Sequence, residues 1–216
     1  MNGLIEDYIA AHTSPEPEHL ARLYRHTHLT RLYPRMCSGH LQGRLLTMLA
    51  SMVNPRRVLE LGTFSGYSAL CLAEGLSRPD ARVDTIEIDD EAEDSLRELF
   101  ATAPFGDRID LHIGDALDVI PRLPYVWDLV YIDANKRHYA EYLDLILPRL
   151  SEGGFIIADN TLWDGKVVDT VENHDPQTLG LDRFNSLVAS RKDLLTVIVP
   201  VRDGLTLIRK LSTRKQ

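Results

Sequence analysis

Apolar positions divide the chain into two regimes. The first 55 residues read as helical: Pro15 and Pro17 separate a short first helix from a second, and a third runs through LQGRLLTMLASMV with Ser38 placed to cap it. From residue 56 short apolar, β-branched-rich runs alternate with helices. RVLEL (57–61) precedes the helix YSALCLAEGL, RVDTIEI (82–88) precedes the charged helix DDEAEDSLRELF, and RIDLHI (108–113) leads into ALDVIPRL. WDLVYI (127–132) leads into a helix with Tyr139, Leu143, Ile146 and Leu150 on one face, and GFIIAD (154–159) is a fifth strand. Runs of this kind suit strands buried on both faces of a parallel sheet. Repeated β-α order with right-handed crossovers predicts a doubly wound α/β sheet. The tail differs: DLLTVIVP, VRDG and LTLIRKL read as an antiparallel hairpin turning at Asp203-Gly204. With no internal repeat or low-complexity linker, one domain over 1–216 is expected, a helical cap (1–55) on an α/β core (56–216).

Composition narrows the class only modestly. The 216 residues suffice for one α/β domain, and 44% hydrophobic with 26% charged residues is ordinary for a globular chain. No apolar run approaches the roughly 20 residues of a membrane span. The first 16 residues carry three acids and no signal-peptide pattern, so a cytoplasmic location is expected. Cys37 and Cys71 lack any disulfide framework or zinc spacing and read as small buried thiols. A net charge of −8 argues against broad nucleic-acid binding. Against that, the stretch from His19 to Arg35 holds four Arg and three His with no acid. Such a run is usually a solvated helix face, yet it keeps a nucleic-acid substrate open.

Ligands of open α/β sheets bind beyond the carboxyl ends of the strands, so chemistry is sought there. The first strand ends in Glu60-Leu61-Gly62-Thr63-Phe64-Ser65-Gly66-Tyr67-Ser68, where the glycines permit a tight turn and Ser68 could cap the next helix or present its hydroxyl. The second ends in Glu87-Ile88-Asp89, an offset at which an acid accepts from ribose hydroxyls. The third ends in Gly114-Asp115-Ala116, where an acid could receive an adenine amino group. Each acid alone is more often a helix cap; three successive strand ends carrying them point to a nucleoside ligand. GTFSG is neither a P-loop nor GxGxxG, and Glu60 beside it suits a cationic ligand better than a pyrophosphate. A sulfonium donor is favoured over NAD.

The fourth strand ends in Asp133-Ala134-Asn135-Lys136 and the fifth in Asp159-Asn160-Thr161. Adjacent strands lie about 4.8 Å apart, so Asp133 and Asp159 could converge on one ion, with Asn160 adding a carbonyl oxygen. Three oxygens suit a hard cation, Mg²⁺ first and Mn²⁺ or Ca²⁺ as alternatives. As loop caps the two acids would have no such role. Lys136, near a dication and a helix N-terminus, is the candidate general base; its bland alternative is a surface lysine paired with Asp133.

At this point the sequence resembles the cation-dependent O-methyltransferase family that includes catechol O-methyltransferase and the plant caffeoyl-CoA O-methyltransferases. The matching stretches are VLELGTFSGYSAL, TIEIDDE, GDALDVIP, WDLVYIDANKRHYAEYLDLILPRLSEGGFIIADNTLWDGKV and VRDGLTLIRK, from about residue 36 onward. ADNTLWDGKV is the most family-specific of them. The resemblance implies a Rossmann-like class I methyltransferase fold, a seven-stranded mostly parallel sheet with a reversed last strand, and commonly a homodimer. It implies metal ligation by Asp133, Asp159 and Asn160, with Lys136 as base. It also implies an S-adenosylmethionine site formed by Met36, Ser38, Glu60, Gly62, Ser68, Glu87, Ile88, Asp115, Ala116 and Asp133. Two departures bear on the acceptor: Asn135 stands where many relatives have an acid or an aromatic, and Pro200 stands near the place of a catechol-binding glutamate. The expected activity is metal-dependent methylation of a hydroxyl on a small vicinal dihydroxy aromatic. The alternative is a tRNA wobble 5-hydroxyuridine, motivated by the 19–35 segment and by Arg209, Lys210, Arg214 and Lys215. A non-enzymatic donor-binding module is a third reading, against which the Asp133, Lys136, Asp159 and Asn160 set speaks.

Overall fold

The computed structural model describes residues 3–169 and 175–212, so Arg214 and Lys215 lie outside the described residues. Its centre is a seven-stranded sheet: β1 (Arg57–Leu61), β2 (Arg82–Glu87), β3 (Ile109–Ile113), β4 (Trp127–Ile132), β5 (Leu150–Ala158), β6 (Leu194–Val199) and β7 (Leu205–Lys210). The spatial order is β3-β2-β1-β4-β5-β7-β6. β1 to β5 are parallel, while β7 runs antiparallel to both β5 and β6. The order reverses between β1 and β4, the switch point at which such sheets open a crevice for ligands.

Helices cover both faces. On one side lie α3 (Gly39–Val53), α4 (Tyr67–Glu74) and α5 (Glu93–Thr102), which supply Leu46, Ala50, Leu70, Leu72, Leu96 and Phe100 to the first core layer. On the other lie α6 (Ala116–Val119), α7 (Tyr139–Ile146) and α8 (Pro176–Ser190), contributing Tyr139, Leu143, Ile146, Leu181, Phe184 and Val188 to the second. Every residue of α4 from Tyr67 to Ala73 is buried, as expected of a helix apolar on all sides. The chain begins with α1 (Gly3–His12) and α2 (Glu18–Thr30), separated at the two prolines. No helix among the described residues is long and apolar enough to cross a membrane.

The fold agrees with the sequence pattern strand for strand, with local corrections. β2 ends at Glu87, leaving Ile88 exposed beyond it. Leu150 does not extend the α7 face: Pro148 lies in a tight turn over 147–149, and Leu150 opens β5. β5 therefore starts four residues early, and its register against β4 shifts between Trp127 and Leu129, beside the Gly153-Gly154 pair. Ser38 occupies the N-cap position of α3 without a side-chain cap, because its backbone is already right-handed (φ −58, ψ −40) where a capping serine is extended. Gly66, not Ser68, precedes α4, so Ser68 lies inside the first turn. α8 was not expected from the pattern at all.

Candidate active site

The turn after β1 is shaped by close approach. Gly62 has φ +95, and a Cβ there would stand 2.1 Å from the Asp133 carbonyl oxygen, so only glycine lets the β1 and β4 tips meet. Glu87 braces the same turn: its carboxylate accepts from the Phe64 N–H at 2.6 Å and from the Asp89 N–H at 2.9 Å. Asp115 caps α6 through the Leu117 N–H at 2.9 Å, combining the structural role of a cap with a place on the cavity wall. Behind the wall lies Glu60, with no exposed surface. Its Oε2 accepts from the Thr85 hydroxyl at 2.5 Å, and its Oε1 has no partner among the described residues. Burial pushes the Glu60 carboxyl up to about 8, with Asp133 and Glu87 adding repulsion and the nearby Ser68 and Thr85 hydroxyls opposing.

These tips open into one cavity of about 990 Å³. Met36, Ser38, Gly62, Ser68, Glu87, Ile88, Asp115 and Ala116 line it, as do Asp133, Lys136, Asp159 and Asn160. Every site residue singled out in the sequence thus faces a single space, except Glu60, which stands one layer back. The carboxylates of Glu87, Asp115 and Asp133 ring it, and the orphaned Glu60 oxygen adds a buried acceptor, an electrostatic setting suited to a cationic ligand.

Asp133 and Asp159 are neighbours because β4 and β5 are: Ile132 pairs with Ala158, and the Asp159 N–H donates to the Ile132 carbonyl at 2.9 Å. Lys136 Nζ donates to Asp133 Oδ1 at 2.7 Å. Among the described residues Asp159 has no cationic partner; it accepts instead from Gln42 Nε2 (2.5 Å), the Tyr131 hydroxyl (2.9 Å) and the Asn160 N–H (2.7 Å). Burial, then repulsion from Asp133, raises its proton affinity, and these donors pull it back. Asn160 adopts a left-handed backbone (φ 56), a conformation asparagine tolerates better than most residues. Among the described residues no trio of His, Cys, Asp or Glu converges. The donor set is therefore two carboxylates and an amide, all oxygen, and one buried carboxylate lacks a counter-charge. Those features fit a hard dication and do not suit zinc.

Several members of the site carried no recognised signal. Tyr139, assigned to the core face of α7, also donates from its hydroxyl to the Ile132 and Asp159 carbonyls at 3.2 and 3.0 Å, tying the strand tips together. Trp163 and Tyr139 flank the Lys136 ammonium, with ring centres 5.9 and 5.7 Å away. Gln42 is a buried polar residue in the midst of LQGRLLTML, a pattern break that marks it in retrospect. Arg202, at the β6–β7 turn, is marked by the sequence only as part of the VRDG turn, with no role at the site. Asn135 caps the turn at Lys136 by accepting from the Arg137 N–H at 3.2 Å, which gives the departure at this position a local structural role.

Comparison with known proteins agrees with this geometry. The O-methyltransferase family profile matches residues 10–211. An O-methyltransferase, ankF, of Aspergillus thermomutatus is 34% identical over 78% of this chain and 77% of its own. A caffeoyl-CoA O-methyltransferase of Stellaria longipes is 30% identical over 91% of this chain and 85% of its own. The solved structure of the O-methyltransferase TomG from Streptomyces achromogenes, in complex with SAM, superposes with a TM-score of 0.87 at 32% identity, covering 96% of both chains. A profile match spanning nearly the whole chain, on a fold shared with these enzymes, means that the chain belongs to the O-methyltransferase family.

Proposed function

We propose that this protein transfers a methyl group from S-adenosylmethionine to a hydroxyl of a small vicinal dihydroxy aromatic, with help from a divalent cation. The observation that carries the reading is the meeting, in one cavity, of an acid-ringed pocket with the Asp133, Lys136, Asp159 and Asn160 cluster. The SAM-bound relative of the same fold and the caffeoyl-CoA relative support the donor and the acceptor class. Asp133, Asp159 and Asn160 would hold the cation. When bound, the sulfonium supplies an electrophilic methyl group and the dication supplies Lewis acidity toward the acceptor hydroxyls.

The chain's own residues do the rest. Glu87 and Asp115 present acceptors to the nucleoside, and Glu60, whose carboxyl burial pushes up to about 8, stands behind it as a buried polar group that keeps its proton at neutral pH. A free phenol has a pKa near 10, so a proton must be taken before transfer; Lys136 Nζ is the group placed to take it, once it has given up its own proton to solvent and stands as the neutral amine. Lys136 has only 12% of its side chain exposed, and the rings of Tyr139 and Trp163 keep water from it. Holding acceptor and donor in line is worth about 7–11 kcal/mol of the barrier.

A second reading, methylation of a hydroxylated tRNA uridine, is favoured by the exposed Arg25, His26 and His28 of α2 and by Arg35 at the cavity. Methyl transfer from labelled donor, measured against a catechol panel and bulk tRNA with and without chelator, separates the two. Label in a catechol that disappears with chelator is expected. Label in tRNA, falling steeply with salt, would favour the second reading. Chelator-insensitive transfer would remove the cation from the mechanism.

A further inference from the structure

Gln42 and Arg202 are 160 residues apart, on α3 and on the β6–β7 turn, yet they meet beside the cluster. Arg202 Nη1 donates to Gln42 Oε1 at 3.0 Å. Guanidinium nitrogens only donate, so the oxygen of the Gln42 amide must be the atom facing Arg202. That choice turns the Gln42 NH₂ inward, where it donates to Asp159 Oδ2 at 2.5 Å and to the Tyr131 hydroxyl at 2.9 Å. The Tyr131 hydroxyl donates to the same Asp159 oxygen. Oδ2 is thereby held by two donors and Oδ1 by one backbone N–H, which fixes the plane of the carboxylate.

The same guanidinium reaches the N-terminal segment. Nη1 also donates to the Cys37 and Ser38 carbonyls, and Nη2 donates to the Arg35 carbonyl at 3.3 Å. Arg35, Met36, Cys37 and Ser38 line the cavity. Arg202 is held in the left-handed region (φ 49), which a non-glycine residue occupies only when its surroundings impose it. An exposed turn residue so constrained, with its charge spent on three carbonyls of the N-terminal segment and on the Gln42 amide, does more than close a hairpin.

We infer that Arg202 and Gln42 form a positioning relay, in which Arg202 orients the Gln42 amide, Gln42 aligns Asp159 for the divalent cation, and the same Arg202 latches the Arg35–Ser38 segment over the donor cavity. The inference rests on the proposed cation site. It makes neither residue catalytic: both act through Asp159 or through the segment they hold. It also couples the two halves of the cavity, because one side chain serves the cation end and the donor end together.

The test is Mn²⁺ affinity, read from the free-ion paramagnetic resonance signal, alongside donor affinity by calorimetry, on the full chain. Q42M, near in shape but without donors, is expected to raise the Mn²⁺ dissociation constant about 10–100-fold, the usual effect of losing an outer partner of a ligand. Donor affinity should stay within about twofold of wild type in that variant, since the latch is untouched. R202A should weaken both Mn²⁺ and donor. In the double variant the Mn²⁺ affinity should match that of Q42M alone, because Arg202 acts on the ion through Gln42. Additive losses, or Mn²⁺ affinity unchanged in Q42M, would overturn the relay. So would full recovery in R202K, which keeps the charge without the fork. If buried Q42M does not fold, R202A at the exposed turn carries the test: unchanged Mn²⁺ and donor affinities there overturn the inference. A wild-type protein that binds no Mn²⁺ would instead bring down the cation reading itself, and the relay with it.

Discussion

Asp159 and Lys136 sit 2.5–2.9 Å from named partners and have distinct jobs, so their substitutions should separate. Asp159→Asn keeps the side chain's shape but removes one of the two carboxylates; turnover with added Mg²⁺ should fall at least about 100-fold while donor affinity stays near wild type. Steady-state assays over a Mg²⁺ series with donor calorimetry check this, and unchanged turnover would remove Asp159 from the cation site. Lys136→Ala should slow methyl transfer by about 10²–10⁴, the range of a lost general base, without a matching rise in the donor dissociation constant. Single-turnover rates decide it: a variant defective only in binding denies Lys136 the proton-accepting role. That Asp133, Lys136, Asp159 and Asn160 would share one cavity was legible, because strand ends are predictable and neighbouring tips must meet. Gln42 and Arg202 were not, since no local pattern links positions 160 residues apart. Ser38 and Ser68 misled in a smaller way: a serine before a helix invites a capping role that the backbone at 38, and the helix start at 67, do not allow.

At the scale of elements, α8 is the part the sequence concealed. Its buried face is Thr178, Gly180, Leu181, Phe184 and Val188, and the polar and small members blur the apolar periodicity. The signal that could have found it is Asp175-Pro176: the Asp175 carboxylate accepts from the Gln177 and Thr178 N–H groups, and the proline takes the first helical position. The helix matters because Gly180 packs on the turn that carries the proposed base. A Cβ at Gly180 would stand 2.4 Å from the Lys136 carbonyl oxygen and 2.7 Å from the Arg137 Cα. Gly180→Ala should therefore push the turn away. A displacement near 1 Å can cost up to about 100-fold in rate. The expected result is a folded protein with reduced kcat, assessed by thermal melting beside turnover; wild-type kcat would show that α8 does not position Lys136. The strands were read correctly because a buried parallel sheet leaves little choice of residue type, whereas β5's early start was hidden by its glycine-rich bulge.

For the whole molecule, the consequence of placing acids at successive strand tips is a stability that depends on pH. Glu60 goes from an ordinary 4.5 when unfolded to about 8 when folded, so between these values the native state holds a proton that the unfolded chain has released. Raising pH through that window therefore lowers stability, by up to about 1.4 kcal/mol per pH unit from this one group. Glu60→Gln should flatten the decline and leave the protein relatively more stable at pH 8 than at pH 5. Chemical denaturation across pH 5–9 without ligands measures it; parallel profiles for both proteins would refute the assignment. The doubly wound, mostly parallel sheet with its closing hairpin was legible at this scale, while the way the hairpin and the N-terminal segment fold onto each other was not, because it depends on carbonyls that any sequence supplies. The two tryptophans are divided between interior and cavity. Trp127 has no exposed surface and gives its indole hydrogen to Asp84, whereas Trp163 lines the cavity beside Lys136 with its indole nitrogen unpartnered among the described residues. On ligand binding the Trp127 emission should hold constant and the Trp163 emission should change, which would make the molecule its own optical probe of occupancy.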